Sequence, residues 1–279
     1  MNHAEANNPD SFEDSQYPAC LSVVVPVYNE EATLGVVVRK LLSVPCLLEI
    51  IIVDDCSTDG TEQEARQLAE LHSRVRLVRH ARNAGKTAAL KTGFALTSGD
   101  IVIVQDADLE YDPVDIYGVI RPILEGHADV VFGSRFLVRR AARVLYFYHY
   151  LANKFLTFLS NALTNLNMTD IETGYKAFRG EIIRNMLIVS SGFGFEVEVT
   201  AKVAKLNVAI YEVPISYYGR TYAEGKKIAL SDGLIAIWLV IRFNLFCSLG
   251  SSFRQLPELR RKPTVLLSPG SRSGRLENE

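Results

Sequence analysis

Asp106 and Asp108 are the residues with the strongest chemical implication in this chain. They follow Ile101–Gln105 (IVIVQ), a run with strand character, so in an extended chain their carboxylates project to the same side. Two anions side by side repel unless a cation or a proton separates them. A hard divalent ion with oxygen ligands, Mg2+ or Mn2+, meets that need and also holds a diphosphate well. A lone Asp-x-Asp has a plainer explanation, an acid pair at a helix N-terminus. Here the pair has company. Pro26-Val27-Tyr28-Asn29-Glu30-Glu31, Asp54-Asp55-Cys56-Ser57 and Arg82-Asn83-Ala84-Gly85-Lys86 follow three other apolar runs. Turn and cap chemistry accounts for any one of these ends but is strained for all four.

Lys86 closes the stretch His80–Thr87 (HARNAGKT), which has the end of a phosphate-binding GxxxxGK[ST] loop but His80 in place of its first glycine. A P-loop phosphohydrolase is therefore disfavoured, although a lysine at a strand end still suits a phosphate. No GxGxxG follows a strand, so a dinucleotide-binding oxidoreductase has no support.

Groups at four strand ends converge when the strands run parallel. Leu21–Val27, Glu49–Val53, Val75–Arg79, Ile101–Gln105 and Val130–Phe132 read as strands, rich in β-branched residues. Helical stretches alternate with them at Thr33–Leu42, Thr61–Leu71, Lys86–Leu96 and Pro113–Leu124. This order predicts an α/β fold with a mostly parallel central sheet flanked by helices. Ligands of such sheets bind outside the carboxyl ends of the strands, where the polar groups stand.

Beyond Arg135 the pattern changes. Val144, Tyr148, Leu151, Phe155, Phe158 and Ala162 form a helical stripe, with His149, Asn153, Thr157 and Asn161 on another face. The plain expectation is a helix over about 143–166 packed on the domain; the alternative is one lying in a membrane interface. Helices are also expected near Glu181–Ile188 and Phe195–Lys205, a strand at Val208–Ile215, and a last helix over about 231–249. Within that last helix, Gly233–Leu249 is apolar but only 17 residues long and carries Arg242, too short and too costly for a membrane span. A buried core helix is the first expectation for it and an interfacial helix the second.

The composition sets the frame. The chain has 279 residues, 48% hydrophobic and 22% charged, and 30 basic against 32 acidic residues give a net charge of −2. Disorder and collagen are excluded as its main character, and nucleic acid, which selects a basic excess, is not an expected partner. One domain over 21–253 is expected between disordered tails, an acidic one at 1–20 and a basic one at 254–279. The four cysteines show no zinc spacing, and the N-terminus lacks a signal-peptide pattern, so a cytoplasmic location is expected.

The motifs PVYNEE, VDDCSTDGT, RNAGK and DADLE, in that order, resemble those of family-2 glycosyltransferases of GT-A fold. Gly133-Ser134-Arg135, Asp170 with Thr173-Gly174-Tyr175-Lys176, Val213-Pro214-Ile215-Ser216, and Arg220 with Tyr222, Glu224 and Lys226 extend the resemblance. They point to the dolichyl- or polyprenyl-phosphate sugar transferase branch, dolichol-phosphate mannosyltransferase-like, over roughly Leu21 to Arg242. The resemblance implies that Pro26, Tyr28, Glu30, Val53 and Asp55 embrace the base and ribose of a nucleotide sugar. It implies that Asp106, Ala107 and Asp108 meet the same donor, with the metal on Asp106, Asp108 and Glu110, the last replacing the more usual Gln. Arg135, Arg220 and Lys226 would bind phosphates, and Lys176 stands where Arg is more usual. Asp106, Asp108 and Arg135 are thus the expected catalytic residues.

The expected reaction is inverting, metal-dependent displacement at an anomeric carbon, carrying a hexose from a GDP-mannose or UDP-glucose type donor to a polyprenyl or dolichyl phosphate. A phosphomonoester with its second pKa near about 6 is largely a dianion at pH 7, so it needs no general base. A saccharide hydroxyl, the alternative acceptor, would need one, and Glu172, Glu196 and Glu198 are the candidates. A lipid acceptor calls for peripheral association with the cytoplasmic face of a membrane. The two late helices offer apolar faces for it, and Arg139, Arg140 and Arg143 suit anionic lipid heads or, with Lys176, the acceptor phosphate.

Overall fold

The computed structural model describes residues 17–137, 146–219 and 230–258. Residues 1–16 and 259–279 of the expected tails lie outside the described residues, as do Arg139, Arg140, Arg143, Arg220, Tyr222, Glu224 and Lys226.

Seven strands form one sheet: β1 (Leu21–Val27), β2 (Leu47–Asp54), β3 (Val75–Arg79), β4 (Ile101–Val104), β5 (Val130–Ser134), β6 (Lys176–Arg179) and β7 (Ile210–Pro214). Their order is β3-β2-β1-β4-β6-β5-β7, parallel except for β6, which runs antiparallel to both neighbours. The central strand β1 is buried along its whole length, with Val24 opposite Ile51 of β2 on one side and Val104 of β4 on the other. Its alternate side chains feed two cores. Val23 and Val25 join Leu34 and Val37 of α1 (Leu34–Leu42), Ala65 and Leu68 of α2 (Thr61–Leu71) and Ile120 of α4 (Ile116–Leu124). Val24 faces the other way, toward Leu90 and Phe94 of α3 (Lys86–Leu96) and Phe195 of α7 (Phe195–Ala204). Helices on both faces of a parallel sheet explain why the strands read as continuous apolar runs.

The strand β6 has no counterpart among the expected elements. KAFR is four residues long with a cation at each end, too short for a periodic signal, yet all four residues are buried. It lies between β4 and β5, pairing Ile101 with Arg179 and Phe132 with Lys176. Lys176 tolerates this position because its ammonium donates to the carbonyls of Ile171, at 3.0 Å, and Thr173 and lies over the Phe132 ring. Arg179 meets Asp129, Nε to Oδ1 at 2.8 Å.

The helix α5 (Phe147–Thr164) reverses the plain expectation for its stripe. Leu156, Thr157 and Ser160 are its buried residues; Leu156, Leu159 and Leu163 pack on the core, and polar side chains beside them add hydrogen bonds to the domain. Asn161 bonds the backbone of Met168 in both directions, and Asn153 donates to Asp170 Oδ1 at 3.3 Å. The aromatic stripe faces outward, with Tyr148 80% and Phe158 69% exposed, along with Phe147, Leu151 and Phe155. The short helix α6 (Gly180–Asn185) follows β6 directly, and the last helix, α8 (Leu230–Leu245), packs against α5 and α7. It buries Val240 and Phe243 but exposes Leu234, Ile235, Trp238 and Leu245, so it is only partly the core helix expected. Among the described residues, no helix is long and apolar enough to cross a membrane.

Candidate active site

A cleft of about 250 Å³ opens at the carboxyl ends of β1 and β4, where the direction of strand order reverses. Pro26, Tyr28, Glu30, Asp55, Lys86, Asp106, Ala107 and Asp108 all line it. Eight of the residues expected in a donor site are thus brought together by three strand ends and the first turn of α3. Val53 lies in the small core between β2 and α3, fully buried beside Ala89.

The loops are laced to one another. Asn29, at a φ of 56°, accepts from the Thr58 backbone N–H at 2.9 Å, and the Glu30 N–H donates to Thr61 Oγ1 at 2.8 Å. Asp55 is the hub. Its carboxylate accepts from the N–H groups of Ala84, at 3.0 and 3.1 Å, and Gly85, at 2.6 Å, and pairs with His80 Nδ1 at 2.7 Å. His80 Nε2 in turn meets Thr92 Oγ1 at 2.8 Å. The N–H groups of Ala84 and Gly85 thus form a small anion nest, filled by the chain's own carboxylate rather than by a phosphate. Gly85 makes it possible, because its φ of 88° with ψ of 162° is a backbone conformation reserved almost wholly for glycine. Asp55 lines the cleft, but its oxygens are committed to shaping the loop that presents Lys86.

Lys86 Nζ lies 2.8 Å from Asp106 Oδ1 and 3.0 Å from Oδ2, with Glu196 Oε1 3.5 Å away. Burial works to lower this ammonium's pKa, but Asp106 and then Glu196 override it and hold it above the ordinary lysine range. Asp106 and Asp108 face the same cleft, as their spacing predicts, across a turn in which Leu109 takes a φ of 60°. Gln105 fixes this turn, donating to the carbonyls of Asp106 at 2.9 Å and Tyr111 at 3.3 Å, while the Tyr175 hydroxyl donates to its Oε1.

Glu110, expected as a third metal ligand, is turned away. Its Oε2 accepts from the Tyr217 hydroxyl at 2.8 Å in a buried aromatic group with Tyr111 and Tyr175. Among the described residues, no three His, Cys, Asp or Glu side chains group to hold an ion. The donor chemistry of Asp106 and Asp108 still fits a hard divalent cation, because such ions commonly take one or two carboxylates and complete their shell with substrate phosphates and water. Asp106 already balances a cation, the Lys86 ammonium.

Arg135, just past β5, is clamped by Asp170, Nε to Oδ2 at 2.7 Å and Nη2 to Oδ1 at 2.8 Å, and its guanidinium lies 5.2 Å from the Tyr217 ring centre. Burial alone would raise the Asp170 carboxyl, and Arg135 holds it below the usual range. Lys176, expected at the acceptor phosphate, is fully buried with its ammonium on backbone carbonyls, so it shapes the 171–173 loop instead. Glu172 on that loop has one buried oxygen, Oε1, without a partner. Burial and the neighbouring Glu196 push it up to about 7, and burial lowers Lys176 to about 8. Glu198 is committed elsewhere, accepting from the N–H groups of Val189 and Ser190 and paired with the buried Lys202, which removes it as a base. Gly174 belongs to the Thr173–Lys176 motif but had no role of its own assigned from sequence: a Cβ there would meet Asp106 Oδ2 at 2.7 Å and Tyr111 Cε2 at 2.9 Å. Its absence of a side chain lets the 170–174 loop lie against the acid.

A cleft at the switch point of an open, mostly parallel sheet is where such folds bind their ligands. The model of "Glycosyl transferase family 2" matches residues 22–187, and the chain belongs to that family. It is a glycosyltransferase of GT-A fold. It is 29% identical over 234 residues to an undecaprenyl-phosphate mannosyltransferase of Micrococcus luteus, covering 80% of this chain and 93% of that protein. To a dolichol-phosphate mannosyltransferase of Pyrococcus furiosus it is 30% identical over 210 residues, 74% of this chain and 58% of that one. Among solved structures, the glucosyl-3-phosphoglycerate synthase of Mycobacterium tuberculosis in complex with Mg2+ and UDP superposes with a TM-score of 0.63 at 23% identity, covering 81% of this chain and 79% of that one.

Proposed function

We propose that the protein transfers a hexose, with inversion, from a nucleotide sugar of GDP-mannose or UDP-glucose type to a polyprenyl or dolichyl phosphate. The observation that carries this reading is the cleft that gathers Tyr28, Glu30, Lys86, Asp106 and Asp108, with Arg135 clamped in place on the neighbouring β5–β6 side of the sheet. The names of the Micrococcus and Pyrococcus relatives support a lipid-phosphate acceptor.

Pro26, Tyr28 and Glu30 would hold the base and ribose, and Asp55 acts through the loop it folds. Asp106 and Asp108 hold a divalent ion, Mg2+ or Mn2+. When bound, that ion supplies positive charge to the departing diphosphate. Arg135, kept in one orientation by Asp170, presents a fixed guanidinium toward phosphate oxygens. The acceptor phosphate attacks as a dianion, so the chemistry needs no general base. The exposed aromatic faces of α5 and α8 suit peripheral contact with the cytoplasmic face of a membrane, where such an acceptor resides.

Membranes incubated with labelled GDP-mannose or UDP-glucose, with and without Mg2+ or Mn2+, and then extracted with organic solvent test the reading. Metal-dependent label in the lipid phase is expected, and Asp108→Ala should abolish it while the circular dichroism of the protein is kept. Label only in water-soluble glycan would overturn the acceptor assignment. Recovery wholly in the soluble fraction at low salt would count against the membrane contact.

A further inference from the structure

Lys86 stands between two acids and holds one of them much more closely than the other. Its ammonium bridges both oxygens of Asp106, at 2.8 and 3.0 Å. On its other side Glu196 Oε1 is 3.5 Å away, outside the range of a short charged hydrogen bond. Glu196 is 7% exposed, and Glu172 is near enough to disturb it electrostatically. Glu172 Oε1 is buried with no partner. The second buried lysine nearby does not answer this need, since Lys176 donates to the carbonyls of Ile171 and Thr173. Glu196 is therefore left without a close charged hydrogen bond from Lys86, whose ammonium is engaged by Asp106.

A divalent ion on Asp106 changes the balance. Carboxylate-bound Mg2+ sits about 2.0–2.1 Å from its ligand oxygens. An ammonium already bonded to both oxygens of that carboxylate is then repelled by a second, doubly charged cation on the same group. The side chain has somewhere to go. Glu196 heads the first turn of α7, and the neighbouring turn is fixed to the start of α3 by Thr87 Oγ1 donating to the Gly192 carbonyl at 2.7 Å. A rotation about the last bonds of the lysine closes the remaining gap.

We propose that Lys86 is a displaceable counter-ion: it holds Asp106 until a divalent cation arrives, then moves onto Glu196, which forms its second berth. This rests on the reading of Asp106 and Asp108 as cation ligands. Glu196 is then a positioning residue for metal loading, with no contact to the sugar required of it. Metal binding without nucleotide is weak by construction, because the ion must first evict a lysine.

The test is a Mn2+ titration of the full chain followed by the electron paramagnetic resonance signal of hydrated Mn2+, with and without UDP or GDP. Lys86→Met should tighten Mn2+ binding in the absence of nucleotide by at least tenfold, because the competing cation is gone. Glu196→Gln should weaken it severalfold, because the displaced lysine loses its berth, and Glu196→Asp should restore part of the loss. Unchanged or weaker binding by Lys86→Met, or unchanged binding by Glu196→Gln, in proteins with wild-type circular dichroism overturns the proposal. If the wild type and all variants fail to bind Mn2+ even with either nucleotide, the cation-ligand reading of Asp106 and Asp108 falls, and the displacement with it.

Discussion

Adding one methyl group at Gly174 probes the geometry of the candidate site more sharply than removing a charged side chain. The alanine Cβ would lie 2.7 Å from Asp106 Oδ2 and 2.9 Å from Tyr111 Cε2, distances real Cβ contacts do not adopt. Tyr111 yields little, because its ring stacks on Tyr175 at 4.9 Å and its hydroxyl accepts from the Gly174 N–H at 3.0 Å. The Asp106 carboxylate must therefore turn, breaking its geometry with Lys86. Overpacking of this kind costs about 1–3 kcal/mol. A displacement near 1 Å at a reacting site costs about 10²-fold in rate. Gly174→Ala should thus lower the urea midpoint modestly and reduce sugar transfer into the lipid phase by roughly two orders of magnitude, at unchanged circular dichroism. Gly118→Ala is the control. It adds the same methyl to an exposed turn of α4 where nothing lies within 4 Å, so it should gain up to about 1 kcal/mol of stability without touching transfer. Wild-type transfer and an unshifted urea midpoint for Gly174→Ala would refute both the contact and the importance of where Asp106 points.

Three further outcomes are expected. Asp170→Asn leaves the Arg135 guanidinium buried without its anion and should destabilise the fold by about 3–5 kcal/mol, read by urea unfolding. Phe155→Ser with Phe158→Ser removes two outward rings; stability should stay within about 0.5 kcal/mol per site, while co-sedimentation with anionic vesicles falls at least tenfold. Glu172, raised to about 7 when folded from an ordinary value of 4.5, binds a proton on folding between those values. Stability should decline as pH rises through that window, and Glu172→Gln should remove the decline; an identical pH profile for the variant would show that Glu172 ionises normally.

The first five strands were legible in sequence because a strand buried on both faces leaves an unbroken apolar run, and Leu21–Val27 and Val75–Arg79 match to the residue. The cleft was legible because chemistry at the ends of parallel strands must converge. Other features were hidden for particular reasons. The strand Lys176–Arg179 places cations where burial is disfavoured, and only the carbonyls of Ile171 and Thr173 and the carboxylate of Asp129 make that tolerable. The outward stripe of α5 obeys helical periodicity perfectly well; periodicity identifies two faces without saying which one meets the protein, and Asn153 and Asn161 decide that. The resemblance assigns Asp55 to the nucleotide, and it does line the cleft, but nothing in the sequence signals that its oxygens also accept from N–H groups about thirty residues further on. A fingerprint of residue types carries no information about such prior commitments.

The reversed strand β6 also sets a timetable for biosynthesis. It is the wedge between β4 and β5, so the two parts of the sheet have no common hydrogen-bonded edge until residue 179 has been made. A nascent chain halted after β5 already holds Asp106 and Arg135, but neither Gly174 to lie against the first nor Asp170 to clamp the second. Leaving the ribosome, it carries a stretch of unpaired strand edge for about forty residues of synthesis, the kind of surface that chaperones shield. The candidate site is thus completed by one of the last pieces of the sheet to arrive, and chains truncated before that point should be triaged as misfolded rather than persist as weak enzymes.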